Sequence, residues 1–279
     1  MKKNSEPDKM RSYRFFKALL VPIFKFWYRP TIIGKENIPE EGAILIVGNH
    51  KHVYDQCLAI MATKRTIHYM AKKEYFDGKM AWFFRMAGCI PVDRSIKDDS
   101  AKAEAISVLE ENEVFGIFPE GTRNELSCKE ELIDKYYKIY DKEYTRKEFK
   151  KIIKKNRVRI SQVNLLEELY NDKKIDYNFY KKYVINAKEG LKHLVEDNII
   201  TLEEYNDSLL LPLKFGAVSM AKKTDSVIVP FASNGEYKLF GKRPKVKIGE
   251  GFKVSDMSLE DANNKLRKEI ISLLVDILD

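Results

Sequence analysis

Cysteine is scarce in this chain: three residues in 279, Cys57, Cys89 and Cys128, widely separated and without a CxxC pair. That excludes a disulfide-stapled scaffold and suits a reducing compartment. No apolar run reaches the ~20 residues that a membrane crossing needs. The nearest, residues 15–28, is broken by Lys17, Pro22 and Lys25. No small-residue cleavage site follows it, since Trp27-Tyr28-Arg29-Pro30 stands there, so a signal peptide is not expected. Internal repeats and low-complexity tracts are also missing. With 15 Phe, 15 Tyr and 44% hydrophobic residues, the chain is expected to bury a core of one large domain or one domain with an elaboration.

The net charge of +8 is unevenly placed. Residues 1–30 hold Lys2, Lys3, Lys9, Arg11, Arg14, Lys17, Lys25 and Arg29 against Glu6 and Asp8, which is six of the eight net charges. The body is nearly neutral, so a basic nucleic-acid groove along it is not expected. Interleaved with these cations are Phe15, Phe16, Leu19, Leu20, Val21, Ile23, Phe24, Phe26 and Trp27. This composition suits a helix lying in an anionic membrane surface. It also suits a helix that turns its aromatic stripe onto the protein's own core.

Beyond Pro30 the pattern alternates. Short apolar runs at residues 43–48, 67–71, 89–92 and 114–118 read as strands, and residues 50–63, 80–87 and 100–111 read as helices. This is an α/β sheet with its functional residues at strand ends. From residue 125 to 210 the rhythm stops. That stretch has one glycine, no proline, 18 Lys/Arg against 17 Asp/Glu, and nine of the 15 tyrosines. Leu132, Tyr136, Ile139, Tyr140 and then Val163, Leu166, Leu169, Tyr170 recur at helical spacing, so a helical subdomain with its own small core is expected. A helix over 213–222, strands at 227–231 and 245–248, and an amphipathic helix over 259–278 follow.

Three constellations carry chemistry. After the first of these strands comes Gly48-Asn49-His50-Lys51-His52-Val53-Tyr54-Asp55. On a regular helix, five residues would splay His50 and Asp55 by about 140°. A strand-to-helix turn can instead bring the carboxylate onto the imidazole, fixing its tautomer so that the other nitrogen can take a proton from a hydroxyl. A helix-capping pair is the plainer reading, and His52 and Tyr54 compete for the role. The second constellation, Gly88-Cys89-Ile90-Pro91-Val92-Asp93-Arg94, places at a strand end a guanidinium suited to phosphate, or paired with Asp93. The third, Phe118-Pro119-Glu120-Gly121-Thr122-Arg123-Asn124, reads as a tight turn at Gly121 carrying Glu120, Thr122 and Arg123, or as a bare turn with an ion pair.

In this order the blocks resemble the 1-acylglycerol-3-phosphate (lysophosphatidic acid) acyltransferase family of membrane glycerolipid enzymes. Asn49-His50 with Asp55 matches its first block, Gly88, Ile90-Pro91-Val92 and Arg94 its second, and residues 118–123 its third. Val227-Ile228-Val229-Pro230 is similar to the fourth, and Lys214-Phe215-Gly216-Ala217 to the stretch before it. The resemblance covers roughly residues 15–125 and 211–255. Some 85 residues stand where family members have about a dozen, and the insertion inherits no role. Residues 186–205 resemble a short helical-hairpin oligomerisation motif.

The resemblance implies an α/β glycerolipid acyltransferase fold with an N-terminal amphipathic membrane helix and a helical insertion. The divisions are 1–30 for the basic amphipathic membrane-association segment, 31–124 for the first part of the α/β domain, 125–210 for the insertion and 211–279 for the second part. It implies direct transfer of a fatty acyl group from a thioester to the free hydroxyl of 1-acylglycerol-3-phosphate, giving phosphatidic acid for phospholipid synthesis. His50 is the implied general base and Asp55 its orienting carboxylate. Arg94 and Arg123 are implied for the phosphate, Glu120, Gly121 and Thr122 for the acceptor pocket, and Gly88, Ile90 and Pro230 for the acyl-donor side. Neither metal nor redox cofactor is expected. Acyl-CoA or acyl carrier protein supplies the thioester, and the partners are lysophosphatidate and an anionic bilayer, with no nucleic acid. The expected location is the cytoplasmic face of the cell membrane, peripheral or monotopic. Another lysophospholipid or an amino-alcohol acceptor on the same fold, and a non-catalytic membrane scaffold, are the alternatives. Oligomeric state and acyl-chain length have no signature in the sequence.

Overall fold

The run Ile44-Leu45-Ile46-Val47-Gly48 has no polar face, and a strand of that kind is stable only with both faces covered. In the computed structural model, which describes residues 9–93, 95, 96 and 98–278, all five residues are buried. We label this strand β2 (Ile44–Gly48). It lies between β5 (Val114–Ile117) and β6 (Val227–Ser233) and is parallel to both. Beyond β5 come β3 (Ile67–Lys72) and the edge strand β4 (Ile90–Val92). Beyond β6 come β7 (Lys245–Ile248) and β1 (Thr31–Ile33). The sheet order is β1-β7-β6-β2-β5-β3-β4. Only the β6–β7 pairing is antiparallel among the described pairs. Because β2 has β5 on one side and β6 on the other, its carboxyl end is a topological switch point, where open α/β sheets leave a crevice.

The strand beginning at Val227 runs two residues past the expected end. Its Pro230 has no N–H to donate, and the pairing register slips by one residue between Ile228–Phe252 and Phe231–Ile248. Pro230 therefore sits at a bulge, the position in a sheet interior that tolerates it. The three-residue strand β1 was not foreseen, being too short to show alternation. The remaining helices around this sheet are α1 (Lys9–Tyr28), α2 (Asp55–Ala62), α3 (Ala81–Met86), α4 (Asp99–Glu110), α11 (Gly216–Thr224) and α12 (Leu259–Leu278). Helix α12 buries Ala262, Leu266, Ile270, Leu273, Leu274 and Ile277, a stripe at helical spacing, against β6 and β7. Helix α4 starts where the Asp98 carboxylate accepts the Ala101 N–H at 3.0 Å.

Two helices begin later than the sequence pattern suggests. Residues 50–54 form a turn and α2 starts only at Asp55, because the Asp55 carboxylate takes the N–H groups of Lys51 and His52. Similarly, α11 starts at Gly216 because the Lys214 N–H is spent on the Pro119 carbonyl at 2.9 Å.

The chain divides into two compact units, Met1–Pro119 with Leu213–Asp279, and Glu120–Pro212. The second contains α5 (Glu130–Tyr137), α6 (Arg146–Lys155), α7 (Ile160–Asn171), α8 (Tyr177–Val184), α9 (Ala187–Glu196) and α10 (Leu202–Asp207). Its own core is built on Leu126, Ile133, Tyr136, Phe149, Val163, Leu166, Val184 and Leu191. Capping boxes at Thr145/Glu148 and Thr201/Glu204 start α6 and α10.

This unit begins five residues before, and ends two residues after, the composition change at 125–210, and side-chain chemistry explains why. Glu120 accepts the Leu211 N–H at 3.0 Å. Asn124 donates to the Ser161 hydroxyl at 2.8 Å and to the Leu209 carbonyl at 3.2 Å. Ser161 donates to the Ser208 carbonyl at 2.6 Å, and Arg159 to the Leu209 carbonyl at 3.2 Å. The two chain ends of the unit are thus tied by a buried polar knot.

Candidate active site

Each parallel strand delivers its carboxyl end to the same edge of the sheet, so residues distant in sequence meet there. Strand β2 delivers Asn49 and His50, β5 delivers Phe118, and β6 delivers Ser233. Asn49 pairs with the Ser233 backbone both ways, donating to its carbonyl at 3.0 Å and accepting its N–H at 2.7 Å. This locks the ends of β2 and β6 together.

Asp55 is fully buried yet well satisfied. Its Oδ2 accepts the Lys51 and His52 N–H groups at 2.7 and 2.6 Å and faces His50 Nδ1 at 3.3 Å. Its Oδ1 accepts the Ser233 hydroxyl at 3.1 Å and the Tyr237 hydroxyl at 2.9 Å. A carboxylate held by so many donors is an acceptor only, so the facing Nδ1 carries the hydrogen and Nε2 keeps its lone pair. The other side of the imidazole is fixed by Phe118, whose ring stacks on it with centroids 4.1 Å apart and planes 18° from parallel. The His50 side chain is 19% exposed, open enough to meet a substrate. A base with a carboxylate on one ring nitrogen, a braced ring and a partly exposed side chain can take a proton from a hydroxyl.

The rivals within the same turn go elsewhere. The His52 ring stacks on Tyr237 with centroids at 4.5 Å, and its Nδ1 accepts the Tyr54 N–H at 3.3 Å. Tyr54 packs among Phe24, Tyr28 and Tyr237. Ser233 and Tyr237 were missed by the sequence reading. Ser233 lies two residues beyond the strand end that the sequence pattern predicts, and Tyr237 stands in a loop with no motif around it. Burial drives the Tyr237 phenol well above its ordinary range, and the Asp55 charge adds to this, so the phenol stays a donor. Burial likewise pushes the Cys57 thiol up to about 12, Asp55 adding to it, and the Cys89 thiol to about 11. Neither thiol is a nucleophile near neutral pH.

The other anticipated residues are spread out. Arg94 lies outside the described residues. Gly88 forms a left-handed turn (φ +67°) before β4, and its carbonyl meets His68 Nδ1 at 2.9 Å. Ile90 points into the core on β4. Pro230 is on β6, four strands away from β4 in the sheet order, or roughly 19 Å at normal strand spacing. In the helical unit, Gly121 adopts φ +68°, and Thr122 and Arg123 follow it half-buried. Glu120 is buried on the Leu211 N–H, with the buried Arg159 guanidinium feeling its charge. No group of three or more His, Cys, Asp or Glu able to hold a metal occurs among the described residues.

Comparison with known proteins matches this chain to a family. The acyltransferase family model covers residues 29–234, and the chain belongs to that family. Over 113 residues it is 34% identical to the 1-acyl-sn-glycerol-3-phosphate acyltransferase of Bacillus subtilis (strain 168), covering 40% of this chain and 57% of that protein. Over 150 residues it is 31% identical to the protein of the same name from Streptococcus pneumoniae (strain ATCC BAA-255 / R6), covering 50% and 54%. The chain thus spans about half the length of the curated relatives it matches. Its fold is similar to the crystal structure of the 1-acyl-sn-glycerophosphate (LPA) acyltransferase, PlsC, from Thermotoga maritima. The TM-score is 0.56 at 15% identity, covering 96% of this chain and 79% of that one. At that identity the likeness is one of fold, and it is the α/β fold expected from the motif order.

Proposed function

We propose that this protein transfers a fatty acyl group from a thioester to the free hydroxyl of 1-acylglycerol-3-phosphate, forming phosphatidic acid. The observation that carries the proposal is the His50–Asp55 pair, buried on its carboxylate side and open on its imidazole side, in a chain of the acyltransferase family. His50 Nε2 takes the hydroxyl proton as the oxygen attacks the thioester carbonyl. Asp55 stabilises the imidazolium, and the proton leaves with the departing thiolate. The motif order makes Arg94 and Arg123 the two guanidinium candidates for the acceptor phosphate. Glu120 acts from within, fixing the turn that carries Gly121, Thr122 and Arg123. Gly88 and Ile90, at the start of β4, and Pro230, on β6 beside β2, are the candidates for the acyl-donor side. Acyl-CoA and acyl carrier protein are both donors to be tried.

We further place the enzyme on the cytoplasmic leaflet as a peripheral protein. No helix among the described residues is long and apolar enough to cross a membrane. Helix α1 docks on its own unit through Tyr13, which is buried, and through Phe24 and Tyr28, which pack on Tyr54 and Tyr237. Its outer surface exposes Phe15, Leu19, Leu20, Ile23, Phe26 and Trp27, with Arg11, Arg14 and Lys25 exposed beside them. Apolar and cationic stripes side by side fit the headgroup region of an anionic bilayer.

The test is phosphatidic acid formation on anionic vesicles with lysophosphatidate and each donor, beside lysophosphatidylcholine as a competing acceptor. Product from lysophosphatidate is the expected result. Acylation of the choline lipid alone would replace the acceptor assignment, and no transfer to either would remove the enzymatic one.

A further inference from the structure

Between β6 and β7 the chain makes a loop whose tip runs Lys238-Leu239-Phe240-Gly241-Lys242-Arg243, every residue of it exposed. Leu239 and Phe240 are 54% and 61% exposed, and adjacent large apolar side chains at a loop tip are not a solvent-driven outcome. The loop does not hang free. The Phe240 N–H donates to the Trp27 carbonyl at 3.2 Å, and the Phe240 ring meets Phe26 edge-on at 5.9 Å. Its tip therefore continues the exposed apolar stripe of α1. Three cations flank the two apolar residues, of which Lys242 lies 3.7 Å from the Glu236 carboxylate.

We infer that the 238–243 loop is a second lipid-inserting element, sinking Leu239 and Phe240 into an anionic bilayer while Lys238, Lys242 and Arg243 stay at the headgroups. Apolar tips ringed by cations match that surface in both polarity and charge. A second copy of this chain, itself carrying +8, is a poor match for the same patch. The inference rests on the membrane reading of α1 and adds a contact that α1 alone does not supply. It also gives lipid contact a route to the chemistry. The loop is rooted at Ser233 and Tyr237, both of which donate to Asp55, so seating the loop on the bilayer steadies the carboxylate that orients His50.

The test uses the full chain and sedimentation with vesicles of equal parts phosphatidylglycerol and phosphatidylcholine. Leu239→Asp/Phe240→Asp is expected to lower the partition coefficient about tenfold or more. Ile199→Asp/Leu202→Asp, which adds the same charge at exposed positions of the helical unit, is expected to stay within about twofold. Wild-type binding with unchanged binding of the loop variant overturns the loop and leaves α1 standing. Equal loss in the helical-unit variant also overturns it, since net charge then explains the effect. If wild type itself stays in the supernatant, both readings fall. Should the aspartate variant lose its circular-dichroism signature, Leu239→Ser/Phe240→Ser replaces it, with about a fivefold loss expected. A loop whose serine version also fails to fold belongs to the core, which contradicts insertion.

Discussion

At the scale of single residues, the site is organised around a carboxylate. Asp55 holds two backbone N–H groups, two hydroxyls and an imidazole, so each donor limits how the others sit. Asp55→Asn would present an amide to His50 Nδ1 and favour the wrong tautomer. Phosphatidic acid formation is expected to fall about a thousandfold, read as kcat at saturating acceptor. Tyr237→Phe removes one donor without emptying space, and kcat is expected to fall about tenfold with KM for lysophosphatidate unchanged. A KM effect with constant kcat would move Tyr237 from positioning to substrate binding. The His50–Asp55 pair was legible in the sequence because both members lie in one short block that resembles a family motif. Ser233 and Tyr237 were not, because they reach Asp55 across 178 and 182 residues of chain, and only the β2–β6 pairing brings them in. Their side chains form no motif with it.

At the scale of elements, the alternation of strand and helix was readable because buried strands have no polar face and helices recur at 3.6 residues. What was not readable were starts set by a distant or local hydrogen bond, as at Asp55 and Gly216, and the bulge that admits Pro230 into β6. Helix α1 provides a further example. Lys17, by composition one of the lipid-facing cations, instead turns inward, donating to the Thr63 carbonyl at 2.5 Å and the Arg65 carbonyl at 3.3 Å. Burial lowers it to about 8 from an ordinary 10.5. Above about 8 the folded chain has released this proton while the unfolded chain still holds it, so stability from this group rises with pH up to the free-lysine value. Wild type compared with Lys17→Met is therefore expected to gain in urea midpoint between neutrality and about pH 10. A flat or falling difference would refute the inward placement. In the helical unit, Glu120→Ala takes the Glu120 acceptor from the Leu211 N–H and one of the two carboxylate charges, with that of Glu125, felt by the buried Arg159 guanidinium. It is expected to cost about 3 kcal/mol in urea unfolding followed by circular dichroism. A loss well below 1 kcal/mol would show that the polar knot does not hold the unit closed.

At the scale of the whole molecule, the His50–Asp55 edge of the sheet, the docked helix α1 and the apolar loop tip belong to one unit, and the proposed lipid reaction would use all three. The sequence pointed to the membrane through charge concentrated in thirty residues, but it could not say which cations face out. With Lys17 turned inward, the exposed cations on and just after α1, among the described side chains, are Arg11, Arg14, Lys25 and Arg29, and the last three are the ones to reverse. Reversing these three to Glu is expected to weaken binding to anionic vesicles about a hundredfold, measured by co-sedimentation. Retained binding would point to a different anchoring surface. The central claim concerns chemistry, and it is met most directly by His50→Ala assayed beside wild type for phosphatidic acid from lysophosphatidate and an acyl thioester. Thermal unfolding of both proteins is recorded in parallel. The account predicts product from wild type, a loss of about a thousandfold or more in the variant, and similar unfolding temperatures. Undiminished turnover by a folded His50→Ala protein would contradict it.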